Sequence, residues 1–110
     1  MSTQEFTGWV NVVSIIGRVT SEAEFRELPS GETLAKFRVV IPRRSPQTKT
    51  TVDTIDCVAF KSTIQKKAQA LGVGQVVEIS GTLRRQFWKT GAGVASRVEV
   101  EVTNLKALKI

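Results

Sequence analysis

The stretch TVDTIDCVAFKSTIQKKAQALGVGQVVEISGTL, residues 51–83, holds a strand, a helix and a second strand in a chain that elsewhere reads only as strands. Residues 51–60 alternate, with Ile55, Cys57 and Ala59 on one face and Thr54, Asp56, Val58 and Phe60 on the other, the period of a half-buried strand. Ser62 and Gln65 have capping-box spacing, and Ile64, Ala68 and Leu71 form the buried stripe of a short helix. Gly72 and Gly74 end that helix, and residues 75–83 return to strand, with Gly81 inside it.

Upstream, residues 9–20 (WVNVVSIIGRVT) read as a long first strand broken by Gly17, and residues 24–28 continue extended into a turn at residues 28–31. Residues 33–41 alternate, Ala35, Phe37, Val39 and Ile41 inward and Lys36, Arg38 and Val40 outward. Residues 42–50 form a loop with two prolines. Downstream, residues 84–88 carry the fourth strand outward to a hairpin turn at residues 89–93, and residues 96–108 return with Val98, Val100 and Val102 inward and Arg97, Glu99 and Glu101 outward. Three strands, one helix and two strands, with glycines placed for a bulge or sharp bend in the first and fourth, predict an all-β, five-stranded OB barrel. Its helix lies between strands 3 and 4, and the strand 4–5 hairpin protrudes. The 110 residues form one such domain, with a core of about 9–108.

Composition argues for binding over catalysis. The chain has no histidine and a single cysteine, Cys57, so the commonest general base is missing and a Cys-rich zinc site is excluded. Cys57 alternates inward, as an inert buried thiol; Asp53 and Asp56 fall on opposite faces and form no carboxylate pair, and Asp56 is expected beside a cation. No enzyme, metal or cofactor is expected. The N-terminus lacks signal-peptide order and no apolar run suits a membrane helix, so a cytoplasmic protein is expected.

The net charge of +6 is concentrated. Lys36, Arg38, Arg43, Arg44 and Lys49 form one run without an acid; Arg84, Arg85, Lys89 and Arg97 form another. Outside these nine cations, seven Lys and Arg face ten acids. Two basic runs in one small barrel suit phosphate neutralisation. Trp88 lies among cations on the hairpin and Phe60 ends a strand on the polar face; both are candidates for base stacking. Phe37 belongs to the core, Phe25 to its margin, Phe87 to the hairpin's other face, and Trp9 to a subunit contact or barrel plug.

Residues 11–19 (NVVSIIGRV), Glu24-Phe25-Arg26 with Pro29-Ser30-Gly31, Ala35-Lys36-Phe37, residues 53–60 (DTIDCVAF) and residues 74–84 (GQVVEISGTLR) together resemble bacterial single-stranded-DNA-binding proteins over nearly the whole chain. The resemblance implies an OB barrel, a homotetramer (a homodimer being the alternative), and binding of single-stranded DNA without strong sequence preference during replication, recombination and repair. Phe60 and Trp88 match two of the family's stacking positions; the cations above would meet phosphates. Thr54 stands where some members carry a stacking tryptophan, and residues 40–44 lack another aromatic, so affinity leans on charge. These 110 residues do not include the family's acidic C-terminal tail, so they carry no support for tail-mediated protein partners. Two rival readings are a primosomal OB dimer in replication restart and a protein-interaction OB module.

Overall fold

The computed structural model describes residues 5–43 and 51–109. Within them the elements run β1 (Val13–Val19), β2 (Glu24–Glu27), β3 (Thr33–Pro42), β4 (Val52–Ala59), α1 (Ser62–Gln69), β5 (Val76–Thr90) and β6 (Gly93–Ala107). Five strands close a ring. β1 pairs with β5, β5 with β6, β6 with β4, β4 with β3, and β3 meets β1 again at Val40–Arg18 and Val39–Val19. The short β4–β6 contact is parallel and the others antiparallel. This is the expected OB barrel, with α1 between the third and fourth ring strands.

The strand count differs from the expected one because the first extended run breaks. Val19 faces Val39 and Glu24 faces Lys36, so residues 20–23 have only residues 37–38 opposite them. The surplus bulges out and leaves β2 as a separate strand on the same edge of β3. Phe25 on β2 remains 46% exposed and is no part of the core. β1 itself starts at Val13, not Trp9. Instead of a strand ladder, the Asn11 side chain donates to the Leu83 carbonyl at 2.7 Å and accepts from the Leu83 N–H at 2.8 Å. Trp9 is 67% exposed, with its ring edge-on to Phe6, and plugs nothing.

The inward faces of β3 and β4 fill the barrel as the alternation predicts. Ala35, Phe37, Val39, Cys57 and Ala59 pack with Val77, Ile79, Val100, Val102 and Leu105, and Ile64 and Ala68 of α1 close one end. Leu105 breaks the even-numbered sequence of inward residues on β6 for a local reason. Ser80 faces Asn104 and Gly81 faces Val102, so Thr103 is an extra residue in a bulge. Gly81 is required there: a Cβ would lie 2.1 Å from the Glu101 carbonyl oxygen. Gly17 sits at no bulge, since β1 and β5 pair without a break, but a Cβ there would approach the Val40 carbonyl to 2.9 Å.

Two further expectations fail. Val98 is 45% exposed and Glu99 3% exposed, the reverse of the predicted pattern. Val98 keeps the inward orientation, but the hairpin has left the barrel at that level and no core remains for it to meet. The capping box does not form either. Lys61 is the N-cap of α1, without a side-chain cap. Gln65 instead donates to the Phe60 and Thr33 carbonyls, both at 2.9 Å, and accepts from the Thr33 hydroxyl at 3.1 Å. A buried amide that ties three backbone segments together satisfies more polar groups than one helix cap would. No helix is long and apolar enough to cross a membrane among the described residues.

Candidate nucleic-acid interface

The outward faces of β3, β4, β6 and the β5–β6 hairpin enclose a groove of about 480 Å³. Lys36 and Arg38 come from β3, Asp56 from β4, Arg97 and Glu99 from β6, and Gln86 and Trp88 from β5. Strand alternation explains this set. Arg84, Gln86 and Trp88 share one face of β5, and Gln86 stands directly opposite Arg97. The Lys36 ammonium donates to the Gln86 side-chain oxygen at 3.1 Å, which ties β3 to the hairpin.

Four of the predicted site residues therefore meet in one place: Lys36, Arg38, Trp88 and Arg97. Trp88 is 40% exposed, with the Arg97 guanidinium 5.7 Å from its ring centre. A half-open indole beside a guanidinium offers a flat face for a base and a donor for its phosphate. Phe60 is not in the lining. Its ring is half-buried, and the Arg84 guanidinium lies 5.0 Å from its centre. Arg85 and Lys89 are on the other face of the hairpin, where Arg85 donates to the Ser96 hydroxyl at 2.9 Å. Arg43, at the end of β3, is paired with Asp53 at 2.9 Å. Arg44 and Lys49 lie outside the described residues.

The groove is not a plain basic patch, which the charge runs alone concealed. Arg26, Lys36, Arg38 and Arg97 are matched in the lining by Glu22, Glu24, Asp56 and Glu99. Asp56 pairs as expected with a cation, and in fact with two: Arg38 Nε at 2.7 Å and Arg97 Nε at 3.7 Å. Arg84 lies between Glu99 at 3.7 Å and Glu101 at 3.5 Å. Gln86 is not among the candidates read from the sequence, although its two-residue spacing to Trp88 puts it on the same face of a strand. Glu22, Glu24 and Arg26 carry no such signal, because only the bulge at residues 20–23 brings them to the groove.

Little here resembles a reactive centre. Burial, and then the nearby charges of Asp56 and Glu99, push the Cys57 thiol up from 9.0 to about 12. At neutral pH it carries its proton and is a poor nucleophile. No group of His, Cys, Asp and Glu suited to a metal ion occurs among the described residues.

Residues 10–108 match the model of the Single-strand binding protein family. The chain belongs to this family. A Single-stranded DNA-binding protein of Treponema pallidum is 31% identical over 102 residues, covering 90% of this chain and 58% of that protein. Single-stranded DNA-binding protein 3 of Streptococcus agalactiae is 26% identical over 103 residues, covering 91% and 75%. Single-stranded DNA-binding protein 1 of Staphylococcus aureus is 28% identical over 86 residues, and the match spans 52% of its length. Thus the chain spans little more than half of two of these single-strand binding proteins. Among solved structures, a Plasmodium falciparum SSB in complex with ssDNA superposes with a TM-score of 0.78 at 22% identity, covering 94% of this chain and 99% of that one. At that identity the superposition supports the fold alone.

Proposed function

We propose that this protein binds and protects single-stranded DNA, without strong sequence preference, during replication, recombination and repair. The observation that carries the reading is the meeting of Trp88 with Lys36, Arg38 and Arg97 in one open groove of an OB barrel. A base stacks on Trp88, and the phosphates on either side meet the groove cations. Phe60 supplies a second stacking surface once Arg84 turns aside. Arg43, Arg44, Lys49, Arg84, Arg85 and Lys89 add longer-range attraction, which steers a polyanion toward the groove. The role is binding without catalysis, metal or cofactor, and its place is the cytoplasm.

Assembly belongs to the same reading. Among the described residues β1 is paired with β5 from Val13 to Arg18 but pairs with β3 only at Arg18 and Val19, which leaves the backbone of residues 13–16 without a ladder partner on its other edge. That edge, with exposed Trp9, Val10, Val12 and Ile16 near it, suits pairing between copies across a two-fold axis and onward association to a homotetramer. Light scattering tests this; a monomer at all concentrations refutes it.

Binding itself is tested by gel shift with oligo-dT over a salt series. Affinity falls with a log–log slope of about 0.7 per phosphate neutralised. Equal affinity for duplex and single strand, or no salt dependence, contradicts the reading.

A further inference from the structure

We propose that the Asp56 carboxylate occupies a phosphate position of the groove, so that incoming DNA must displace it from Arg38 and Arg97. The inference rests on the single-strand-binding reading above. Asp56 lies on β4, between the two strands that carry these arginines. One of its oxygens is 2.7 Å from Arg38 Nε and the other is 3.7 Å from Arg97 Nε. Two oxygens of one anion shared between two guanidinium groups is the arrangement a bridging phosphate adopts, because carboxylate and phosphate offer arginine the same acceptor geometry.

The placement has a direct consequence. Arg97 also lies against Trp88, so the arginine nearest the stacking surface has Asp56 as an ion-pair partner, more loosely than Arg38 does. A base on Trp88 brings its phosphate to a guanidinium that already has an anionic partner. The Asp56 side chain is 28% exposed, so the pair is open to water and to exchange. The exchange replaces one anion by another and lowers the net gain from each phosphate. Asp56 thereby sets the affinity and salt response of the groove without touching a base.

The alternative role has the opposite sign. If Asp56 chiefly holds the two arginines in position, removing it weakens binding even though a negative charge has left a site for a polyanion. The test measures fluorescence anisotropy of labelled oligo-dT across a salt series for the unaltered protein, Asp56→Asn, Asp56→Ser and Glu78→Gln. Glu78 does not line the groove, so Glu78→Gln makes the same change in net charge elsewhere on the barrel. Both Asp56 variants are expected to bind about five-fold tighter at low salt. Their log–log slopes steepen by about 0.7, one further phosphate neutralised. Glu78→Gln changes affinity by less than half as much. Equal or weaker binding by the Asp56 variants overturns the inference, as does equal tightening by Glu78→Gln. Failure of the unaltered protein and all variants to bind oligo-dT overturns the function reading itself; binding by the unaltered protein with no gain in the Asp56 variants overturns this inference alone.

Discussion

The Arg84 guanidinium stands 5.0 Å above the Phe60 ring while reaching toward Glu99 and Glu101 on β6. Phe60 is therefore not a free platform in the unbound protein. A base that stacks on it must displace Arg84 or slide between ring and guanidinium, and the cation–π contact it replaces is worth about 0.5–1 kcal/mol. Trp88 is more open, and its own cation, Arg97, sits farther off at 5.7 Å. The two aromatics should differ in energetic weight although the sequence offers both as stacking candidates.

Trp88→Ala should weaken oligo-dT binding by about tenfold or more, from the loss of roughly 1–3 kcal/mol of stacking. Phe60→Ala should cost about two- to three-fold, since its contact with Arg84 already offsets part of the gain. Titrations at one fixed salt concentration, with thermal melts to confirm folding, check both. A larger effect at Phe60 would reverse the order argued here.

Arg38→Ala combined with Arg97→Ala should lower the salt slope by roughly 0.7–1.4 and weaken mixed-sequence and oligo-dT strands alike, because phosphate contacts carry no sequence information. Replacing Arg85 and Lys89, on the far side of the hairpin, should change the slope less. The same anisotropy series reads both pairs.

Gly81→Ala should destabilise the barrel by about 2–3 kcal/mol, lowering the melting temperature by roughly 10 °C. The new methyl group would meet the Glu101 carbonyl, and backbone cannot move aside as a side chain can. Gly91→Ala, in the hairpin turn with open space around it, is the control and should be neutral. Calorimetry of the two variants separates the close approach at the bulge from a general dislike of replacing glycine.

Much of this was visible in the chain because the periodicities are local. The alternation of Ala35, Phe37 and Val39, and of Cys57 and Ala59, depends only on strand geometry, and all five are buried. The order of strands around one helix then leaves few closed arrangements. What stayed hidden depends on pairing between distant segments. The two surplus residues within residues 20–23 exist only relative to β3, so β2 and its Glu24 and Arg26 could not be assigned to the groove. Thr103 is an extra residue only against Gly81. The spacing of Ser62 and Gln65 suggests a helix cap, but the partners of the Gln65 side chain include Thr33, thirty-two residues distant. The charge runs showed where cations concentrate in the sequence but not that Asp56 and Glu99 would lie among them.

Gln65→Ala should cost about 1–3 kcal/mol, since the Phe60 and Thr33 carbonyls lose their shared donor. Gln65→Glu should cost at least as much at neutral pH, because a carboxylate can only accept and would face two carbonyl oxygens. Urea melts check the stabilities. Hydrogen exchange should show faster opening at the β4–α1 junction than elsewhere.

Cys57 should resist thiol reagents at pH 8 until the protein unfolds, as burial holds its pKa near 12. Native and unfolded states both keep the proton well below pH 9. Between 9.0 and about 12 the unfolded thiol ionises while the native one does not, so this group's contribution to stability falls as pH rises, by up to about 1.4 kcal/mol per pH unit. Labelling kinetics with and without denaturant give the first result. The alkaline stability profile of Cys57→Ala, shallower than that of the unaltered protein, gives the second.

The most direct test of the groove as the single-strand interface uses Trp9→Phe, which leaves Trp88 as the sole tryptophan. Titration with oligo-dT should quench its emission to saturation, with a midpoint that moves to higher DNA concentration as salt rises, and Trp88→Phe should lose that quench. Unchanged emission from Trp9→Phe, together with a full quench in Trp88→Phe, would place the DNA near Trp9 and contradict the assignment of the groove.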